Sequence, residues 1–311
     1  MPRVSIVTPL HNKGPYIADT IESVLAQTML DWQMIIVENG STDNGLGIVR
    51  QFFDQRIRLM ASPKQGPGAA RNVGLAQATG EWILFLDADD LVTPNFLEER
   101  LALLKDHPEA DLLVGCWEEF FDDQAPHSFR HPTATGRPTK VLEQSAVTFA
   151  PWALHAALIR RCRLTPDLYW PEELDSYASE DAAFWFPVLF GANIAWSQQA
   201  GALYRVQTTI GRNEIKNAER WIYGVIAAID HNVAFLQRQG RNPSAEQCAN
   251  IVRVFESNYR MALRKGERSA ANSALRQARH WLAKCPPTST SIAVRKVFGL
   301  RLFNLLRHGA F

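Results

Sequence analysis

Residues 82–90 read WILFLDADD, an apolar run followed at once by carboxylates. A short run that is apolar throughout is typical of a strand buried on both faces, as in a parallel sheet. Ligands of such sheets bind at the carboxyl ends of the strands. The sequence therefore predicts a buried strand over residues 82–86, with Asp87, Asp89 and Asp90 at the edge of the sheet where a ligand binds.

The carboxylates after this strand repel one another, and burial makes each charge costly. A divalent cation offsets such a cluster, and oxygen ligands favour Mg²⁺ or Mn²⁺. Because the protein supplies few ligands, we expect phosphates of a substrate to complete the coordination. The alternative is a polar turn that caps the helix after Pro94, and this alternative suits Asp90 best.

Strands and helices alternate on the amino-terminal side of this stretch. Three apolar or β-branched runs predict strands, and each is followed by a segment with helical spacing. The strands cover residues 3–8, 32–37 and 57–61, and the helices cover residues 15–27, 44–54 and 68–78. This alternation predicts an α/β fold with a mostly parallel sheet covered by helices on both faces.

Three more polar side chains are expected at the same edge of the sheet. Glu38 and Asn39 follow the second strand, where they can face a ligand. Arg71 lies in the first turn of a predicted helix, where a positive charge opposes the helix dipole. Arg71 is therefore expected to have an anionic partner, which is either Asp87 or Asp89 or a phosphate.

The composition excludes several classes of protein. Of the 311 residues 46% are hydrophobic and 21% are charged, which excludes a disordered or collagen-like chain. Only four cysteines are present, and they are scattered, so we expect reduced thiols in a cytoplasmic protein. No signal peptide is recognisable. Residues 182–204 carry no charge, but polar residues, Gly and Pro interrupt them, which predicts a buried helix, a turn and a strand.

Charge is divided unevenly along the chain. Residues 1–204 carry 15 Lys and Arg against 26 Asp and Glu, whereas residues 205–311 carry 18 against 6. This asymmetry indicates two regions with different partners. Residues 122–140 are rich in Pro, Thr and His and predict a loop. In the basic part, helices are predicted over residues 214–239, 244–265, 268–284 and 291–307.

Five short motifs in order give a resemblance to a known family. They are VSIVTPLHN at 4–12, IESVLAQT at 21–28, VENGSTD at 37–43, GAARNVG at 68–74 and GEWILFLDADD at 80–90. Residues 3–99 resemble the nucleotide-diphospho-sugar transferase domain of the family 2 glycosyltransferases, which have a GT-A fold with a Rossmann-like sheet. On this resemblance the domains are residues 1–212, with a nucleotide-sugar-binding half at 1–120 and an acceptor-binding half at 121–212, and a basic helical region at 213–311.

The resemblance implies roles for the residues at the sheet edge. The nucleobase would be bordered by Thr8, Pro9, Glu38 and Asn39. Arg71 would lie near the base or the diphosphate. Asp87 and Asp89 would form the DxD pair, in which Asp89 binds Mg²⁺ or Mn²⁺ and Asp87 reaches the ribose or the metal. Relatives usually have an acidic residue in place of Asn39, so UDP is favoured as the nucleotide but other bases stay open.

A second motif concerns the acceptor. Residues 177–185, YASEDAAFW, resemble the Glu-Asp motif of the family, in which Asp181 would be the general base. Glu180 and Trp152 would lie near the sugar or the acceptor. Two alternatives stay open from the residues alone, namely that Asp181 caps the apolar helix that follows and that Trp152 packs in the core.

The implied reaction is an inverting, metal-dependent transfer of a sugar from a nucleotide diphosphate sugar to an acceptor hydroxyl. The acceptor would be a saccharide or a lipid-linked saccharide of cell-surface polysaccharide synthesis. The last predicted helix has an apolar face formed by Val294, Phe298, Leu302 and Leu305. We expect this basic helix to dock on the anionic inner face of the membrane. Packing on the catalytic domain and a homodimer interface are the alternatives.

Three rival functions are less consistent with the sequence. A nucleotidyltransferase needs a glycine-rich loop after the first strand, which residues 9–12 do not provide. A metal-independent glycosidase would use Asp87 and Asp181 as its acid and base. A non-catalytic protein that binds nucleotide sugars or nucleic acid would leave the DxD and Glu-Asp motifs unexplained, and its basic half lacks regular aromatic residues.

Overall fold

The structure is a computed structural model that describes most of the chain. The described residues are 1–121, 139–177, 179–206, 217–286, 292–293, 295–296 and 299–300. The chain forms two compact units that are not contiguous in sequence. The first comprises residues 1–139, 151–176 and 188–211, and the second comprises residues 140–150, 177–187 and 212–311.

The first unit is built on one eight-stranded sheet. The strands are β1 (Val4–Leu10), β2 (Trp32–Glu38), β3 (Ile57–Ala61), β4 (Trp82–Phe85), β5 (Leu91–Val92), β6 (Leu112–Phe121), β7 (Ala157–Arg160) and β8 (Ile194–Val206). Their order is β3-β2-β1-β4-β7-β6-β8-β5. The first four pair in parallel as predicted. The side chains of β1, β2 and β4 are largely buried, which suits a sheet covered on both faces, whereas β3 is a partly exposed edge strand. β7 is antiparallel to both β4 and β6, and β6 and β8 are parallel.

The helices of this unit are short and follow the strands closely. They are α1 (Gly14–Leu25), α2 (Gly45–Val49), α3 (Pro67–Gln77) and α4 (Phe96–Ala102). α3 packs on β1 and β2, and a Cβ at Gly74 would lie 2.4 Å from Val7 Cγ1, so only glycine permits this approach. α2 is shorter than the predicted helix over residues 44–54, because Gly45 and Gly47 weaken the helix.

The second unit is helical. Its helices are α5 (Thr139–Ala146), α6 (Glu180–Leu189), whose last two residues belong to the first unit, α7 (Ala218–Arg238), α8 (Ala245–Arg264) and α9 (Arg268–Lys284). The last three confirm predicted helices. α8 begins with a capping box in which Ser244 and Gln247 bond to each other's backbone N–H groups. Small side chains, Ala218, Ala262, Ala270, Ala271 and Ala274, let α7, α8 and α9 pack closely.

The described part of the carboxyl-terminal segment packs within this helical unit. Arg295 forms a two-pronged ion pair with Glu256 of α8, with N–O distances of 2.9 and 2.8 Å, and both side chains are buried. Ile292 and Leu300 are also buried. Burial of Arg295 removes one of the positive charges that an anionic membrane surface would attract. The predicted apolar face, Val294, Phe298, Leu302 and Leu305, lies outside the described residues.

Residues 182–204 form the rest of α6, a turn and most of β8, as predicted from the polar residues, Gly and Pro that interrupt this uncharged stretch. Among the described residues no helix has the length and the apolar character needed to cross a membrane. The predicted loop over residues 122–140 lies outside the described residues up to residue 138, and Thr139 begins α5. All four cysteines are free thiols.

Candidate active site

The turn after β4 carries three carboxylates, and each of them contacts a basic side chain. The pairs are Asp87 Oδ1 with Arg71 Nη2 at 2.7 Å, Asp89 Oδ2 with Lys13 Nζ at 2.6 Å, and Asp90 Oδ2 with His155 Nδ1 at 3.2 Å. β1 lies beside β4 in the sheet, so the loop after β1 reaches this turn. Positive groups from three distant parts of the chain therefore converge on residues 87–90.

Arg71 is held firmly against Asp87. Its side chain is 2% exposed, and the guanidinium lies 4.2 Å from the ring centroid of Trp170. Asp87 itself keeps 33% of its side chain exposed. Of the anionic partners expected for Arg71, the structure shows Asp87. The pair leaves Asp87 accessible to a ligand from the solvent side.

Asp89 lies in an electrostatically strained position. Burial and the charges of Asp90 and Asp87 raise the pKa of Asp89 to about 6, although the contact with Lys13 lowers it. A carboxyl group held among like charges is stabilised in its ionised form by additional positive charge. Burial is the largest cause of this rise in pKa, and the two neighbouring carboxylates add to it.

Asp90 is a structural residue. Its Oδ1 accepts a hydrogen bond of 2.9 Å from the backbone N–H of Arg205, and its backbone oxygen accepts one of 3.0 Å from Thr20 Oγ1. His155 is completely buried against it. Burial lowers the pKa of His155, but the carboxylates of Asp90 and Asp87 raise it by a larger amount. The pKa of His155 therefore lies above the usual histidine value. Asp90 therefore has a structural role in a polar turn, but it does not cap the helix after Pro94, because α4 has Asn95 as its N-cap and Asp90 Oδ1 bonds to β8 instead.

Arg205 on β8 holds the backbone of the turn after β4. Its Nε donates a 2.7 Å hydrogen bond to the backbone oxygen of Asp89, and its Nη2 lies 3.0 Å from Asp19 Oδ2. The guanidinium also stacks on Tyr16 and Phe120, at 4.9 and 4.6 Å from the ring centroids. These contacts fix the backbone that carries Asp89.

The end of β2 is used mainly to hold a neighbouring loop. Asn39 is 4% exposed; its Nδ2 donates to the Lys64 backbone oxygen at 2.8 Å and its Oδ1 accepts from Gly66 N–H at 2.7 Å. Both polar atoms of the Asn39 side chain therefore hydrogen-bond to the backbone of the loop at residues 64–66. Burial raises the pKa of Glu38, but hydrogen bonds from the backbone N–H groups of Ser41 and Gly40 lower it by a larger amount. The pKa of Glu38 is therefore below its usual value.

Thr8 and Pro9 lie at the carboxyl end of β1. Thr8 is completely buried, and its hydroxyl has no hydrogen-bond partner among the described residues. Pro9 is half-buried and pairs in register with Val37 of β2. A buried hydroxyl without a partner is costly, and a bound ligand can satisfy it.

Asp175 caps the helix that carries Arg71. Its Oδ1 accepts from Gly68 N–H at 2.6 Å and its Oδ2 accepts from Ala69 N–H at 2.9 Å, which satisfies free N–H groups at the start of α3. Burial raises the pKa of Asp175, although these N–H groups oppose the rise. No local sequence pattern links Asp175 to this helix, because it lies 106 positions after Ala69.

Replacement of Asp175 by alanine is expected to lower the free energy of unfolding by about 1 kcal/mol, as for loss of other helix caps. Urea denaturation followed by circular dichroism measures the change. Asp167→Ala is the control, because Asp167 is an exposed acid of the same segment. Equal stability of the two variants would show that Asp175 does not act as a cap.

An open cleft of about 630 Å³ lies beside this cap. Its lining residues are Lys64, Gln65, Ala69, Asn72, Tyr169, Trp170, Glu172, Glu173 and Asp175. Lys64 Nζ bonds to Glu172 Oε2 at 2.7 Å, and Asn72 Nδ2 donates to Glu172 Oε1 at 3.1 Å. Carboxylates therefore dominate the lining, which disfavours a diphosphate in this cleft.

Glu180 and Asp181 form the first turn of α6 in the second unit. Glu180 is buried and Asp181 is half-buried. Asn232 of α7 holds this turn, because its Nδ2 donates to the backbone oxygens of Ala182 and Val147 at 3.1 and 3.2 Å. In the first unit, Trp152 is 4% exposed and packs edge-to-face on Trp196 at 5.6 Å, which favours the alternative of core packing.

The donor set at the turn fits a hard dication. Among the described residues no three His, Cys, Asp or Glu side chains gather as a complete metal site. Mg²⁺ and Mn²⁺, however, are commonly held by one or two carboxylates together with substrate phosphates. Asp87 and Asp89 are two such carboxylates, and they lie on one turn at the carboxyl end of β4, which is parallel to β1.

Two family models of glycosyltransferases match this chain. The family model "Glycosyl transferase family group 2" matches residues 82–310, well over half of the chain, and "Glycosyl transferase family 2" matches residues 5–153. The chain belongs to the family 2 glycosyltransferases. The family predicted from the five sequence motifs is thereby confirmed.

Individual relatives are similar over parts of the chain. Glycosyltransferase GlyG of Streptococcus pneumoniae is 35% identical over 120 residues, which cover 38% of this chain and 40% of GlyG. The poly(ribitol-phosphate) beta-N-acetylglucosaminyltransferase TarS of Staphylococcus aureus is 28% identical over 200 residues, which cover 62% of this chain and 33% of TarS. The matches thus span less than half the length of these curated relatives.

A solved structure has the same fold. The crystal structure of S. aureus TarS residues 1–349 in complex with UDP-GlcNAc aligns with a TM-score of 0.60 and 19% identity, covering 96% of this chain and 92% of that chain. This similarity confirms the predicted GT-A fold.

Proposed function

We propose that this family 2 glycosyltransferase is an inverting, metal-dependent enzyme that moves a sugar from a nucleotide diphosphate sugar to an acceptor hydroxyl. The observation that supports this proposal best is the turn after β4. It presents Asp87 and Asp89 at the carboxyl edge of parallel strands, with Arg71 fixed beside Asp87. This chemistry suits a dication and a diphosphate.

The donor nucleotide is proposed to lie along the ends of β1 and β2. The unsatisfied hydroxyl of Thr8 and the adjacent Pro9 would border the nucleobase. Asn39 would shape the nucleobase site indirectly, because it holds the backbone of residues 64–66. Glu38 would shape it through its hydrogen bond from Ser41 N–H, which holds the turn after β2. UDP is the favoured nucleotide, and TarS, which is named as an N-acetylglucosaminyltransferase and was solved with UDP-GlcNAc, agrees with that choice.

Asp89 and Asp87 are the residues proposed to hold Mg²⁺ or Mn²⁺. When bound, the dication supplies positive charge to the diphosphate as that group leaves. Arg71 contributes to the same edge a guanidinium that is already oriented by Asp87 and Trp170, so little reorganisation is needed during the reaction. His155 and Arg205 hold the turn in place from its buried side.

Asp181 is proposed as the general base. It would take the proton of the acceptor hydroxyl while the oxygen forms a bond to the anomeric carbon. The bond from that carbon to the diphosphate breaks, and the diphosphate leaves with the electron pair. Attack in line with the leaving group inverts the anomeric centre. Glu180 and Trp152, both buried, would shape the surroundings of the sugar rather than contact it directly.

The acceptor is proposed to be a saccharide or a lipid-linked saccharide of cell-surface polysaccharide synthesis. TarS, by its name, acts on poly(ribitol-phosphate), which agrees with a cell-surface polymer. Reaction in the cytoplasm agrees with the four free thiols. Attachment to the membrane surface and dimerisation are separate hypotheses that this proposal does not need.

A thermal-shift panel tests the proposed donor and metal together. UDP, GDP, dTDP and CMP sugars are each added with and without Mn²⁺. We expect a UDP sugar with Mn²⁺ to raise the Tm, because a ligand at 100 times its Kd stabilises the fold by about 2.7 kcal/mol. Stabilisation by saccharides alone, without nucleotide or metal, would instead support a glycosidase or a carbohydrate-binding protein.

A further inference from the structure

Lys13 is placed so that its ammonium reaches the end of a neighbouring strand. It lies in the loop after β1 and is the residue that precedes α1. Its Nζ is 2.6 Å from Asp89 Oδ2, and the side chains of Lys13 and Asp89 keep 24% and 16% of their surface exposed. The first of the five sequence motifs ends at Asn12 and the second begins at Ile21, so the resemblance assigned no role to Lys13.

A positive charge at this point affects any other cation that approaches Asp89. The ammonium of Lys13 and a dication bound to the same carboxylate would repel each other at short range, where little water screens them. Lys13 therefore opposes dication binding while it remains on Asp89. Either the dication binds weakly or the ammonium moves away.

The two basic side chains on this turn differ in their freedom to move. Arg71 is buried, stacked on Trp170 and paired with Asp87, so it keeps its position. Lys13 is partly exposed, and its ammonium is carried on a flexible four-carbon chain. An ammonium with three N–H donors can bind a phosphate oxygen as well as a carboxylate.

We propose that Lys13 couples dication binding to donor binding. In the free protein its ammonium occupies Asp89 and keeps the affinity for a dication low. When the donor arrives, the ammonium moves to the donor diphosphate, and Asp89 becomes available to the dication. The inference rests on the proposed function, because it takes Asp89 as a dication ligand. It adds that metal and donor bind together rather than independently.

The test is a titration of Mn²⁺ followed by electron paramagnetic resonance of the free ion, at pH 8 and with and without UDP. In wild-type protein UDP should strengthen Mn²⁺ binding. In Lys13→Met we expect Mn²⁺ alone to bind about tenfold more tightly and the strengthening by UDP to fall by a similar factor, since coupling between two ligands is reciprocal. Lys13→Gln gives a second variant without the charge.

Lys105→Met is the control. It removes the same charge from an exposed lysine of the first unit that belongs neither to residues 64–66 nor to the turn at residues 87–90. Its affinity for Mn²⁺ alone should equal that of wild type. If Lys13→Met and Lys13→Gln bind Mn²⁺ no more tightly than wild type does, the coupling role is overturned.

The variant Asp89→Asn distinguishes an error in the coupling role of Lys13 from an error in the proposed function. Asp89→Asn should abolish the Mn²⁺ binding that UDP strengthens. If Asp89→Asn binds Mn²⁺ as wild type does, both the metal role of Asp89 and the coupling role of Lys13 are wrong. If Asp89→Asn loses Mn²⁺ but the Lys13 variants match wild type, only the coupling role is wrong.

Discussion

Asp89→Ala should lower kcat/KM for release of UDP from the sugar donor by about 10³-fold, since it removes charge stabilisation of the leaving group. The affinity for UDP should also lose its dependence on Mn²⁺. The fold should be retained or slightly stabilised, because burial and like charges disfavour the ionised form of Asp89 and raise its pKa. Steady-state kinetics, UDP titrations with and without Mn²⁺ and the Tm measure the three effects.

Glu81→Ala is the control for this prediction. Glu81 is an exposed acid that precedes β4, at the opposite end of the strand from Asp89, and it pairs with Arg160. Loss of one negative charge there should leave kcat/KM within a small factor of wild type. Turnover by Asp89→Ala comparable to wild type would refute the metal role of the turn.

Local sequence determined the part of the fold that carries this turn. The runs predicted at residues 3–8, 32–37 and 82–86 are mostly apolar or β-branched, so their strands could be located from local composition. That the carboxyl ends of parallel strands form the ligand-binding edge followed from the rules of such sheets. The helix dipole disfavours an unpaired cation in the first turn, so an anionic partner of Arg71 could be predicted. The candidates were Asp87, Asp89 or a phosphate.

The supports of the turn could not be predicted in this way. Lys13, His155 and Arg205 contact residues 89–90 across 65 to 116 positions of sequence, and no periodicity links such distant residues. β7 was missed for a similar reason. It has four residues, and its antiparallel place between β4 and β6 depends on long-range pairing.

Asn39 illustrates how a motif residue can serve the site indirectly. Its position at the end of β2 predicts a side chain facing the ligand, and the resemblance placed it at the nucleobase. In the structure its amide is buried and both polar atoms bond to the backbone of residues 64–66. Such use of a polar side chain depends on the shape of a loop that the local sequence does not specify. On the proposed function, the choice of nucleotide would depend on that loop as well as on residue 39.

Asp181→Asn is expected to lower turnover by about 10²–10³-fold, within the usual contribution of a general base. Affinity for UDP and Mn²⁺ should stay near that of wild type, because Asp181 is proposed to act on the acceptor and not on the donor. The loss should be no larger than that of Asp89→Ala, since stabilisation of the leaving group supplies the larger part of the rate. Kinetics with a saccharide acceptor and UDP titrations measure the two quantities.

The alternative for Asp181 is that it only stabilises the start of α6 through the helix dipole. Glu219→Gln distinguishes the two roles, because Glu219 is an acid in the first turn of α7 in the same unit. A capping role predicts small and similar losses of stability in both variants, with turnover preserved. A general base predicts that only Asp181→Asn loses turnover and that its rate no longer falls at acid pH. Because Asn232 holds the backbone of this turn independently of residue 181, the substitution should change the chemistry without displacing α6.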